Sequence, residues 1–130
     1  MKLTPINPES LFPPRGYNNG MRGSGEIVFV AGQVGWSRSG SVVSDDFVLQ
    51  FGQALENVLD VVFAAGGRAD SIARMTVYVT DKQEYLRRAR ELGAAWRQRM
   101  GRHYPAMALV EVKGLLDDRA QVEIEATALV

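Results

Sequence analysis

The chain has 130 residues, with fifteen Lys and Arg balancing fifteen Asp and Glu, no cysteine and a single histidine. That length and composition suit one globular domain over residues 1–130, and the zero net charge argues against a dedicated nucleic-acid binder, which is ordinarily basic. Without cysteine there is no disulfide scaffold, thiolate catalysis or Cys-based metal site, and His103 alone cannot build a His-rich zinc site.

Pro5, Pro8, Pro13 and Pro14 crowd the start of the chain. They read residues 1–15 as an extended arm laid along the domain, because a signal peptide needs an unbroken apolar core. No apolar run, residues 61–65 included, approaches the roughly 20 residues of a membrane span. A cytoplasmic protein without a membrane partner is expected.

After the arm, the apolar run Ile27-Val28-Phe29-Val30-Ala31 predicts a buried strand, preceded by a short strand near residues 17–21 in a hairpin. Residues 36–41 read as a turn-rich connection. Ser44-Asp45-Asp46 supplies an N-cap and two acids for a first helical turn. Phe47, Phe51, Leu55, Val58 and Val62 then recur at helical spacing, and Gly66-Gly67 ends the helix. Residues 72–80 alternate as a strand, with Met75, Val77 and Val79 against Thr76, Tyr78 and Thr80. A second helix opens at Asp81 and carries the stripe Tyr85, Leu86, Ala89, Leu92, Trp96 and Met100. Pro105 stops it, and residues 106–112 and 121–130 finish as two strands around the polar turn at 116–119.

The order is therefore β-β-α-β-α-β-β, an α+β layer with a mixed sheet and two helices on one face. Both faces of the strands are substantially apolar: Ile27 and Phe29 alternate with Val28 and Val30, and Met107 and Leu109 with Ala108 and Val110. Two helices cover one face only. The other predicts a homo-oligomer with sheets packed inward.

Chemistry concentrates near the C-terminus, in Glu111, Glu123 and Glu125. Glu123 and Glu125 share a strand face, either as carboxylates held in a cleft for acid/base work or as a solvated, salt-bridged face, and the pattern alone favours the second. They could also take magnesium or calcium, but the spacing of a calcium loop is missing, and no metal site is assigned. The glycines from 16 to 40 end in no phosphate-binding signature and read as tight turns, with close approach to a ligand open at Gly32. From Lys82 to His103, seven Lys and Arg face two Glu. Without interleaved aromatics, that run reads as a solvated helix face rather than a nucleic-acid patch. His103 has no partner at ligand or triad spacing and reads as structural or exposed.

Tyr104-Pro105-Ala106, Val110-Glu111-Val112 and Val122-Glu123-Ile124-Glu125-Ala126 together resemble the Rid family, the reactive intermediate deaminases, also called YjgF-type or perchloric-acid-soluble proteins. Tyr17 with Gly20, Val30-Ala31-Gly32-Gln33, Leu55-Glu56-Asn57-Val58 and Val77-Tyr78-Val79-Thr80-Asp81 extend the likeness over nearly the whole chain. The resemblance implies a chorismate-mutase-like fold and a homotrimer with small-molecule clefts between subunits. It also implies cofactor-free hydrolysis of enamine or imine intermediates, such as 2-aminoacrylate and its imine, to 2-keto acids and ammonia. Glu123 would orient and activate water, Tyr17 would close the cleft, and backbone groups around Ala31, Gly32 and Leu109 would bind the ligand. In the family's deaminases an arginine after Pro-Ala grips the substrate carboxylate; here that position holds Met107, which has neither charge nor donors. Either Arg15 or another arginine enters the cleft from elsewhere, or Met107 lines an apolar pocket for an uncharged ligand. Alternatives are a non-catalytic trimer binding a metabolite or partner protein in the same clefts, and a ribonuclease, for which only the basic helix speaks.

Overall fold

Strand alternation and helical periodicity resolve into a helix layer on one face of a four-stranded sheet. The computed structural model describes residues 3–130; Met1 and Lys2, the first residues of the expected arm, lie outside them. The elements are β1 (Thr4–Ile6), β2 (Gly20–Arg22), β3 (Ile27–Val34), α1 (Phe47–Ala64), a short 3-10 turn (Ala69–Ser71), β4 (Ile72–Val79), α2 (Lys82–Arg87), α3 (Ala89–Met100), β5 (Ala106–Glu111) and β6 (Val122–Leu129). The main sheet runs β3-β6-β4-β5, with β4 and β5 parallel and the other pairs antiparallel. The α2–α3 crossover between β4 and β5 is what parallel neighbours require.

The core is the layer between helices and sheet. Leu55, Val58 and Val62 of α1 meet Ile72, Val77, Val122 and Ile124 of the sheet, all essentially inaccessible to solvent, and Leu92, Trp96 and Met100 of α3 close the side. Helix α1 has the length and hydropathy of a membrane-crossing helix, but half of it is buried in this packing. Its cap is Asp46, two residues later than the first candidate Ser44: the Asp46 carboxylate accepts from Leu49 N–H at 3.0 Å, and Ser44 Oγ accepts from Asp46 N–H at 3.0 Å. Gln50, a fully buried polar side chain, donates to the carbonyls of Ser44 and Arg119 and accepts from Gln121 N–H, which pins α1 to the start of β6.

Three expectations need correction. Strand β2 does not hairpin with β3; it pairs with β1 of the N-terminal arm in a separate two-stranded sheet, held down by Asn18, which donates from its N–H to Pro105 O and from Nδ2 to Tyr104 O. The second helix is two, broken at Arg88. Nor is its basic face simply solvated. Arg88 pairs with Asp46, Glu84 and Glu91, Arg87 with Glu84, and Arg99 approaches Glu56 of α1.

Candidate functional site

One half of the site lies where β3 meets β6. The β3–β6 register runs from Val30↔Ala126 to Gln33↔Ile124, and the bulge between leaves Ala31 and Gly32 without register partners. Gly32 allows a close approach: a methyl group there would stand 2.5 Å from Glu123 Oε2. Glu123 is half-buried on the sheet face away from the helices, since its neighbours Val122 and Ile124 fill the core. Across from it stands Tyr78, whose hydroxyl donates to the Glu125 carboxylate. That hydrogen bond to an anion holds the Tyr78 phenol above its ordinary pKa. Glu123, Glu125 and Tyr78 thus form one polar row on the open face. Glu111, grouped with them from sequence, belongs elsewhere, because its carboxylate accepts from Lys82 N–H at the start of α2.

The other half lies at the opposite edge. Met107 and Leu109 of β5 pair with Met75 and Val77 and point toward the helices, partly buried against the core. Tyr17, half-buried, precedes the Asn18 bridge to Ala106 and so stands beside the start of β5. Below Met107 opens a cavity of 190 Å³ lined by uncharged residues, among them Phe51, Tyr85, Leu92, Trp96 and Tyr104, with Gly16 at its rim. The Trp96 and Tyr104 rings stack at 5.8 Å. Desolvation of Tyr85 pushes its phenol pKa up, so that ring is neutral too. Arg15 is exposed and is not among the residues lining this cavity.

Within one chain the two halves do not meet. Glu123 and Met107 are on strands separated by β4, roughly 10 Å at a strand spacing of ~4.8 Å, and they face opposite sides of the sheet. Among the described residues no three of His, Asp or Glu converge as a metal-binding set. His103 is structural, with Nε2 at 2.7 Å from Ile72 O while its own carbonyl accepts from Trp96 Nε1.

Residues 9–130 match the family model described as Endoribonuclease L-PSP. A Rid-family protein of unknown function from Yersinia pestis has the same fold over 100% of both chains, with a TM-score of 0.86 and 29% identity. The chain belongs to the Rid family. Curated relatives of this Rid protein include a RutC family protein of Pyrococcus horikoshii, 31% identical over 81% of this chain and 80% of that one. Another is the 2-iminobutanoate/2-iminopropanoate deaminase of Salmonella typhimurium, 32% identical over 81% of this chain and 80% of that enzyme.

Three side chains at these places are not marked by the sequence of this Rid protein. Alternation puts Tyr78 on its strand but not opposite Glu123, and helical spacing puts Tyr85 and Trp96 in a core stripe rather than on the wall of a cavity. The signal for Tyr78 was present in the alternation of β4 against Val77 and Val79. For Tyr85 and Trp96 it was not, because small neighbours at Ala89 and Gly93 hollow out a stripe whose spacing is that of any core helix.

Proposed function

We propose that this Rid protein is a homotrimer that hydrolyses a small imine or enamine metabolite in clefts between subunits, without a cofactor. The observation that carries this reading is the β3 bulge, which sets the unpaired Ala31–Gly32 backbone against the Glu123 carboxylate while Tyr17, Met107 and Leu109 occupy the other edge of the sheet. A second copy bringing its β5 edge to this bulge assembles the complete set. Glu123 takes a proton from water as the oxygen adds to the imine carbon and passes it to nitrogen, giving a carbinolamine. The carbinolamine hydroxyl proton then moves to nitrogen through the same carboxylate, the carbon–nitrogen bond breaks, and ammonia leaves a carbonyl product. The oxidation level is unchanged, so the step needs no redox partner. Tyr17 closes the cleft, and the backbone of Ala31, Gly32 and Leu109 supplies hydrogen-bonding groups to the ligand. The deaminase relative in Salmonella supports the reaction class.

Met107 favours a competing reading, a non-catalytic homologue that holds a metabolite or partner in the same clefts. The ribonuclease reading loses ground, because Arg87, Arg88 and Arg99 of the basic run are engaged by acidic side chains. The test generates 2-imino acids in situ with an amino-acid oxidase and follows their decay. Wild type accelerates them weakly. Met107→Arg gains about ten- to a hundredfold on a carboxylated imine, the worth of one charge-assisted hydrogen bond of ~1.5–3 kcal/mol. Glu123→Gln abolishes the gain. No acceleration by Met107→Arg across several imines overturns the hydrolase and leaves the binding homologue.

A further inference from the structure

We infer that the cavity between α3 and β5 receives an uncharged imine carrying an aromatic ring, an inference that rests on the hydrolase reading and names its substrate class. Three observations carry it. First, none of the ten residues lining the cavity is charged, and the polar atoms they offer are backbone groups, the Trp96 indole N–H already given to His103 O, and the hydroxyls of Tyr85 and Tyr104. A carboxylate entering here would be desolvated with no charged group among the lining residues, whereas a neutral group meets no such cost. The Arg97 guanidinium beside Gly93 belongs to an exposed side chain outside the lining.

Second, the size fits a ring. The cavity measures 190 Å³, and an apolar protein cavity of about 150 Å³ holds benzene. Four of its lining side chains (Phe51, Tyr85, Trp96 and Tyr104) are aromatic, offering faces and edges to a planar guest. Third, the space is a property of small residues on α3. Ala89 and Gly93, one turn apart, line it, and a Cβ at Gly93 would meet only the Arg97 guanidinium, at 3.2 Å. The substrate is thus of the form aryl–CH=NH. Water adds to its carbon and the carbon–nitrogen bond breaks, giving the aryl aldehyde and ammonia.

The experiment uses benzamide, a stable neutral isostere of such an imine, against benzoate, with Trp96 fluorescence as the readout in a Trp36→Phe chain. Benzamide is expected to quench saturably and to bind at least about tenfold more tightly than benzoate, and Met107→Arg to reverse the order. Gly93→Leu fills the cavity and removes benzamide binding while raising helix propensity; Ala89→Leu, at the rim, is the independent filling variant. Benzoate binding as well as benzamide, or benzamide affinity unchanged in both filled variants, overturns the inference. Decay of the imine formed from benzylamine by an amine oxidase separates the two claims. Selective benzamide binding without faster decay keeps the assignment of the cavity and sinks the hydrolase. Faster decay of carboxylated imines with no benzamide binding does the reverse.

Discussion

A methyl group added at Gly32 would stand 2.5 Å from Glu123 Oε2, 2.8 Å from Cδ and 3.1 Å from Cγ, and all three atoms belong to the flexible end of one side chain. Gly32→Ala therefore displaces the Glu123 carboxylate rather than the backbone, and it also removes conformational freedom from the unfolded chain. Thermal unfolding should change by no more than about 1 kcal/mol, while imine decay falls to the level of Glu123→Gln. A Gly32→Ala protein with full turnover would show that Glu123 needs no fixed position beside the bulge. The glycine was legible in sequence as a place of close approach just after a buried strand. Its neighbour was not, because Glu123 is distant in sequence and the contact is set by the bulge and by the β3–β6 register. Met107 is the opposite case. Its chemistry, a thioether with neither charge nor hydrogen-bond donors, is read directly from the sequence, and the structure adds only the uncharged walls it looks onto.

At the scale of elements, Arg88 is the joint on which the helix layer is assembled. It sits at the break between α2 and α3 and donates to Glu84 and Glu91 on those helices and to Asp46, the N-cap of α1. The Asp46 carboxyl is held below its ordinary pKa first by the Leu49 backbone N–H and then by Arg88; Glu84 is lowered by Arg87 and then Arg88, and Glu91 by Arg88. Carboxylates with a folded pKa below the unfolded one add stability that is complete above the unfolded value and is lost as pH falls through the folded one. Arg88→Met should lower Tm by a few degrees at neutral pH. That difference should shrink progressively as pH falls below the ordinary carboxylate range and through the lowered folded values, as thermal melts across pH would read. An undiminished difference in acid would mean that Arg88 acts through packing of its stem instead. Helical period alone made the layer legible, since Leu92, Trp96 and Met100 lie on one stripe. The break was hidden because Arg88 and Ala89 are both good helix formers, and the three-acid cluster that fixes Arg88 is a tertiary contact with no signature in spacing.

For the whole molecule, the informative residues are those the single chain leaves out. The open face of the sheet carries Phe29 at 79% exposure, with Ile27 and Val110 also exposed, beside Arg74, Thr76 and Glu125. The apolar half of that face was legible as alternation on both sides of β3 and β5. The polar row of Glu123, Glu125 and Tyr78 was only half so, because it needs β6 placed between β3 and β4, an order no local pattern encodes. Such a mixed face suits burial against like faces of neighbouring copies, which in the proposed trimer bring the β5 half of the site to the bulge. Phe29→Asp tests both consequences together. The fold should persist, since Phe29 packs little against its own chain, and far-UV circular dichroism should be unchanged. Burying a phenylalanine contributes about 1.5–3 kcal/mol, and its replacement would place an unpaired carboxylate on the contact surface of each subunit. Sedimentation equilibrium should then give the mass of one chain where the proposed trimer gives three, and imine turnover should fall with it, because in that proposal Glu123 and Met107 meet a common ligand across two copies. A Phe29→Asp protein that keeps its assembly would move the interface off this face, and one that dissociates with turnover intact would place the whole site within a single chain.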